Sequence, residues 1–173
     1  MFVKMVNEIK IIKERKEWVV EDLNINPLSI AKWFYKHNIK DIAIIQRLTY
    51  LTYLKVLEKK NALLFTEDWF AWSGGPIVES AFHTMMKYEQ KEYNKLFSTI
   101  PNLKEEKVLP YLEYVEDDYK TSKEEKNEYK FFDSIDNNPP YEIARLKVKK
   151  DELDSPKISL IDILEYNEWI TKF

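Results

Sequence analysis

A mainly helical single domain, compact around one buried central helix, is the fold class that three features of this sequence predict. Apolar residues recur at helical spacing through most of the chain after Asn26. Helix-opening signals stand in front of those runs: Asn26-Pro27, Pro110, and Ser159 with Asp162. Glycine occurs only twice, at the adjacent Gly74 and Gly75, so regular structure and ordinary turns must account for most of the chain. The pair marks a place where the backbone needs a conformation that side chains forbid. A length of 173 residues suits one domain. Residues 1–26 are expected to be an N-terminal extension and residues 27–173 the domain.

The extension admits two readings. Phe2, Met5, Ile9 and Ile12 fall at helical spacing, while Glu8–Ile12 and Trp18–Val20 can pair as strands across a charged turn at Lys13–Glu17. Val, Ile and Trp favour strands, so a small β-hairpin or mixed extension is expected. Asn26 then caps a helix whose first position, Pro27, needs no N–H, with Ile30, Trp33 and Phe34 on its apolar face. The next helix runs from about Asp41 to Lys60. Its polar stripe is narrow (Gln46, Thr49, Thr52, Lys55, Lys59) and Ile44, Ile45, Leu48, Leu51, Leu54 and Leu57 cover most of the rest, which predicts the central, buried element.

Leu63–Trp72 reads as a loop and short helix carrying Trp69 and Trp72, with Ser73-Gly74-Gly75-Pro76 next and Pro76 opening a helix through Ile77, Ala81, Phe82 and Met85. Pro110 opens a helix through Leu112, Val115 and Tyr119. Ser122 with Glu125 forms a capping box for a helix reaching Phe132. Asn137–Pro140 is a turn before a helical Tyr141–Arg145. Ser159 starts the last helix, with Leu160, Ile163, Leu164 and Trp169.

Composition narrows the function. Hydrophobic residues make up 45% and charged residues 33%, which excludes a disordered chain and a membrane-embedded one. Lys and Arg number 27 against 30 Asp and Glu, so bulk charge does not point to nucleic acid; Lys149, Lys150 and Lys157 lie near acids and form no patch. No cysteine is present, which removes disulfides, thiolate metal sites and cysteine nucleophiles. Met1–Glu8 has neither the apolar run nor the cleavage site of a secretory signal. A cytoplasmic protein without a membrane partner is expected.

Catalytic patterns are sparse. His37 and His83 are the only histidines, two elements apart and in no metal-ligand spacing. Glu67-Asp68 and Glu116-Asp117-Asp118 could hold a divalent ion, yet successive carboxylates on a helix do not face each other, and a solvated face explains them better. Ser73 precedes the glycines instead of sitting between them, and no phosphate-binding loop occurs. Gly74-Gly75-Pro76 ahead of a helix could expose N–H groups to an anion, or simply turn the chain sharply beside Trp72. Trp69 and Trp72, at i and i+3, share a helix face in this reading. Two roles stay open for them: core packing, or, for one exposed beside the glycine turn, an anchor for a protein partner. No metal, cofactor or catalytic residue is predicted.

Three segments carry a resemblance. Pro27-Leu28-Ser29-Ile30-Ala31-Lys32-Trp33-Phe34, Ile45-Gln46-Arg47-Leu48-Thr49-Tyr50-Leu51 and Ala71-Trp72-Ser73-Gly74-Gly75-Pro76-Ile77-Val78 resemble, in order, the opening helix, the Leu-Gln-Lys-Leu-x-Tyr segment and the Ala-Trp-x-x-Gly-Pro-Val signature of the Panacea domain family, the SocA-like antitoxins and their phage-associated relatives. Tyr119, Ser122 and Pro140-Tyr141-Glu142-Ile143-Ala144-Arg145 are similar to a later region of that family, with Tyr141 where a Trp is usual; the family's Leu-Thr-His piece is replaced by Phe131-Phe132-Asp133-Ser134.

The resemblance implies a non-enzymatic antitoxin that neutralises a protein toxin, encoded by an adjacent gene, through direct contact. Trp69, Trp72, Gly74, Gly75, Pro76 and Glu79 are the expected partner-binding residues. The alternative it implies is an adaptor or phage-derived regulator that delivers its partner to a protease. Relatives often add a DNA-binding domain; none is expected here, so nucleic acid is not an expected partner. An enzyme using carboxylates such as Glu67 and Asp68 is the more distant alternative.

Overall fold

The computed structural model describes residues 7–148 and 155–172. Phe2, Met5, Lys149 and Lys150, which figure in the expectations above, lie outside them. Among the described residues the fold is mainly helical, with eight α-helices, but it is not purely so: two three-stranded sheets complete it.

The N-terminal expectation of a hairpin holds. β1 (Asn7–Lys13) and β2 (Lys16–Asp22) pair antiparallel, with Ile9 opposite Val20 and Ile11 opposite Trp18. Glu14 turns the chain at φ 55°. Alternation sends Trp18 and Val20 into the core and Glu17 and Val19 to solvent. β2 continues in parallel onto β3 (Ala62–Leu63), so the hairpin is part of the same sheet as the helical body. At its tip Lys13 pairs with Glu165 and Lys16 with Glu168, both on α8 (Leu160–Thr171).

α1 (Pro27–Lys36) begins as expected: the Asn26 carboxamide oxygen accepts from the Leu28 N–H at 2.9 Å, and Pro27 occupies the first turn. Its Ser29, Lys32 and Lys36 side chains donate to Pro101 O, Ile100 O and Asn102 Oδ1 and tie down the 100–102 loop. Ile30 and Phe34 are buried, whereas Trp33 is half-buried and stacks on His37.

α2 (Ile42–Lys60) is the central helix, capped by Asp41 and ended by a left-handed Asn61. It packs against α1, α5 and β5 among others. The expected polar stripe is corrected by the structure. Gln46, Thr49 and Thr52 are buried, and only the Lys55 and Lys59 end reaches water. The two threonines tolerate burial because their hydroxyls donate to Ile45 O and Leu48 O one turn back.

The largest departure comes next. The segment expected as a loop and short helix contains β3 and then β4 (Trp69–Trp72); Pro76 lies in β5 (Gly75–Ile77) and does not open a helix. β5, β4 and β6 (Lys157–Ile158) form the second sheet, all antiparallel. The following helix, α3 (Glu79–Met86), starts three residues after Pro76. Beyond a 3-10 turn at Gln90–Glu92 come α4 (Tyr93–Ser98), α5 (Leu109–Glu124), α6 (Glu128–Asp136) and α7 (Pro139–Leu146).

Pro110 sits in the first turn of α5, as expected; the turn expected over Asn137–Pro140 is shorter, because Pro139 and Pro140 already form the first turn of α7, where a missing N–H costs nothing. The Ser122–Glu125 box does not form. Ser122 is buried inside α5 and donates to Tyr119 O, while Lys126 at φ 55° and the Asn127 N–H on Ser122 O close that helix before α6 begins. Ser159 caps α8, but Trp169 is 61% exposed instead of joining Ile163 and Leu164 in the core. No helix among the described residues is long and apolar enough to cross a membrane.

Tyrosine burial gives the fold a pH dependence. Burial pushes the ionisation of Tyr50 and Tyr53 well above the ordinary tyrosine range; the Tyr50 hydroxyl donates to Asn138 Oδ1 at 2.8 Å. Both phenols are neutral in folded and unfolded chains below pH about 10, so their contribution is complete there. Above it the unfolded chain loses protons first, and stability falls by about 1.4 kcal/mol per pH unit for each such group. Denaturation series between pH 8 and 11 should show that decline, and Tyr53→Phe should make it shallower.

Candidate functional site

The site is built around the β4–β5 hairpin, and its geometry starts at one glycine. Gly75 takes φ +122°, a region that disfavours L side chains, and a Cβ there would lie 2.7 Å from Arg47 Nε. Arg47 reaches across from α2, stacks its guanidinium over the Phe132 ring at 4.8 Å and pairs with Asp136 at 3.3 Å. Burial raises the Asp136 carboxyl above the ordinary carboxylate range, with Arg47 pulling against that shift. Gly74, by contrast, sits in open space and is exposed.

Side chains far away in sequence hold the hairpin backbone. Gln46, one residue before Arg47, accepts the buried Val78 N–H at 2.9 Å and so fixes the step from β5 into α3. From α7, the Tyr141 hydroxyl donates to Trp72 O at 2.5 Å and Arg145 Nη1 donates to Ala71 O at 2.9 Å. The Ala71 N–H donates to Pro156 O at 2.7 Å. Burial and the Asp136 charge raise the Tyr141 phenol, which keeps it protonated and donating. The segments around Gln46, Trp72 and Tyr141 thus converge on one piece of backbone.

The two tryptophans separate. In a strand, residues i and i+3 point to opposite faces, so the shared helix face expected for them does not exist. Trp69 is buried, with edge-on contacts to Tyr50 and Tyr53 and a tilted contact to Phe65. Trp72 is half-buried on the other side. Its Nε1–H donates to Glu79 Oε1 at 3.1 Å, the same oxygen that accepts from the Ser155 hydroxyl. The Trp72 ring meets Phe82 at 5.0 Å and His83 at 5.9 Å, and one turn beyond Phe82 on α3 stands Met86, 59% exposed. The result is a half-open aromatic and methionine face with a carboxylate fixing the indole.

The other candidates lie elsewhere. Glu67 and Asp68 are exposed on the loop before β4, and Asp68 pairs with Lys157 at 2.8 Å. Glu116 is buried between His37, at 2.6 Å, and Lys120, while Asp117 and Asp118 point to solvent. Among the described residues no three His, Asp or Glu side chains gather as metal ligands. Sequence reasoning gave no role to Arg47, Asp136 or Met86. Only tertiary contact reveals them.

Compared with known proteins, the chain matches no protein-family model, no curated protein and no solved structure.

A test of the hairpin anchor follows from Gln46. Gln46→Leu keeps the volume but leaves the buried Val78 N–H without an acceptor, a loss of about 1–3 kcal/mol. Urea unfolding should show that loss, and hydrogen exchange should show faster exchange at Val78.

Proposed function

We propose that this chain is an antitoxin-like protein that neutralises a partner protein toxin by direct binding in the cytoplasm, with no reaction of its own. The binding face is the outer side of the β4–β5 hairpin together with α3: Trp72, Glu79, Phe82 and Met86, with Gly74, Gly75 and Pro76 setting the bend. Trp69 supports that face from the core side.

One observation carries this reading. Three of the segments that resemble an antitoxin family, those around Gln46, Trp72 and Tyr141, separated by up to about a hundred residues, meet at a single hairpin whose outward side is a half-open aromatic face. Aromatic and methionine side chains are favoured anchors of protein interfaces, and an interface of about 1,600 Å² can mask a toxin by occlusion alone. Glu79 adds pre-organisation, since the indole is already held before any partner arrives.

The test is co-expression with the product of the neighbouring gene. Toxicity of that product alone, rescue of growth by this chain and co-purification of the two support the proposal. A harmless neighbour, or no rescue and no complex, overturns it. A shortened partner half-life in place of a stable complex would transfer the reading to protease delivery.

A further inference from the structure

We propose that the cleft between the C-terminal half of α2 and the first turns of α5 is a binding site for a small planar aromatic anion, separate from the hairpin face. The cleft has a volume of about 420 Å³ and is lined by Lys55, Lys59, Pro110, Tyr111 and Tyr114. That is the size of an ordinary small-molecule site. It shares no residue with the face proposed for the toxin.

The chemistry of the walls selects the ligand. Lys55 and Lys59 are one turn apart on α2 and share a side of the helix. Across from them, Tyr111 and Tyr114 lie three residues apart on α5, and Pro110 holds the first turn of that wall. Tyr114 is 57% exposed, and Lys55 Nζ stands 5.5 Å from its ring centre. A flat ring inserted here stacks on tyrosine while its negative group meets the ammonium groups.

Competing ligand types fit less well. A neutral apolar guest would strip water from two ammonium groups and return nothing to them. A metal ion would face cations. A nucleic-acid strand needs a basic track of several phosphates, which two lysines do not supply. The present counter-charge is Glu58, 3.4 Å from Lys55 and 3.1 Å from Lys59. Both are side-chain pairs at the protein surface, the weak kind that an incoming anion can displace.

The experiment uses two dyes with the same fused ring system. 1-Anilinonaphthalene-8-sulfonate carries a sulfonate, and N-phenyl-1-naphthylamine does not. The full chain is titrated with each by fluorescence, and the site is located by amide chemical shifts. The expected result is one saturable site for the sulfonate that shifts Tyr111 and Tyr114, with at least tenfold weaker binding of the neutral dye. Lys55→Gln with Lys59→Gln should weaken the sulfonate at least tenfold and leave the neutral dye unchanged. Thermal melting of that surface variant should match the parent. Equal affinity for both dyes, insensitivity to the lysine substitutions, or shifts confined to the Trp72 face would each overturn the proposal. Toxin rescue by the lysine variant is expected to be intact, so failure here is distinguishable from failure of the antitoxin reading.

Discussion

Gly75→Ala is expected to destabilise the fold by about 3 kcal/mol, while Gly74→Ala next to it should change stability by less than about 1 kcal/mol. The residues are identical in type and adjacent in sequence, so the contrast isolates geometry. At Gly75 an added methyl meets strain at φ +122° and a contact of 2.7 Å with Arg47 Nε. Strained backbone of this kind costs about 1–3 kcal/mol. Moving Arg47 aside also gives up its pair with Asp136 and its stacking on Phe132. At Gly74 nothing lies within 4 Å of the added atom.

Urea unfolding of both variants checks this, with an unchanged slope required for the midpoint to report stability. A double-mutant cycle with Arg47→Ala refines it. If the clash with Arg47 matters, the pair of substitutions should cost less than the sum of the two, by about 1 kcal/mol. Equal stability of the two alanine variants would show that the hairpin does not depend on the Gly75 conformation.

The same hairpin marks the boundary of what the sequence made legible. Helices α1, α5 and α8 announce themselves because their caps and first-turn prolines are local chemistry: Asn26 on Leu28, Pro110 in the first turn, Ser159 on Asp162. The N-terminal hairpin was legible in part: Val, Ile and Trp favour strands, while Ile9 and Ile12 also fit helical spacing. β4 was not. Trp-Phe-Ala-Trp is too short for its period to be read, and aromatic residues at i and i+3 imitate a helix face. What makes it a strand is pairing on both sides, with β5 across the Ser73-Gly74 turn and with β6, nearly ninety residues later.

Burial of the α2 polar stripe was hidden by a related cause. Thr49 and Thr52 satisfy themselves on their own helix, but Gln46 needs Val78, and no local pattern predicts that contact. For the site, residue identity was legible and division of labour was not. Trp69 and Trp72 looked equivalent, and only the strand geometry assigns one to the core and the other to the surface.

That division makes the second large effect. Trp69→Ala removes a buried indole that touches Tyr50, Tyr53 and Phe65, and should cost about 3–5 kcal/mol, as large aromatic deletions in cores do. Trp72→Ala removes a half-buried ring and one donor to Glu79, so its cost to the fold should be much smaller, about 1 kcal/mol. Binding should invert the order. At an interface anchor, truncation to alanine costs about 2 kcal/mol or more, which weakens partner capture about thirtyfold. Trp72→Phe keeps an apolar ring but cannot donate to Glu79, and its affinity should fall between those of the parent and the alanine variant. Calorimetric melting paired with affinity measurement on the neighbouring gene product separates the two roles. Loss of capture in Trp72→Ala with an intact melting transition places the indole in the interface. Capture at parental strength in that variant, with losses only where the fold itself melts, would reduce the hairpin to scaffold and move the binding face elsewhere on the surface.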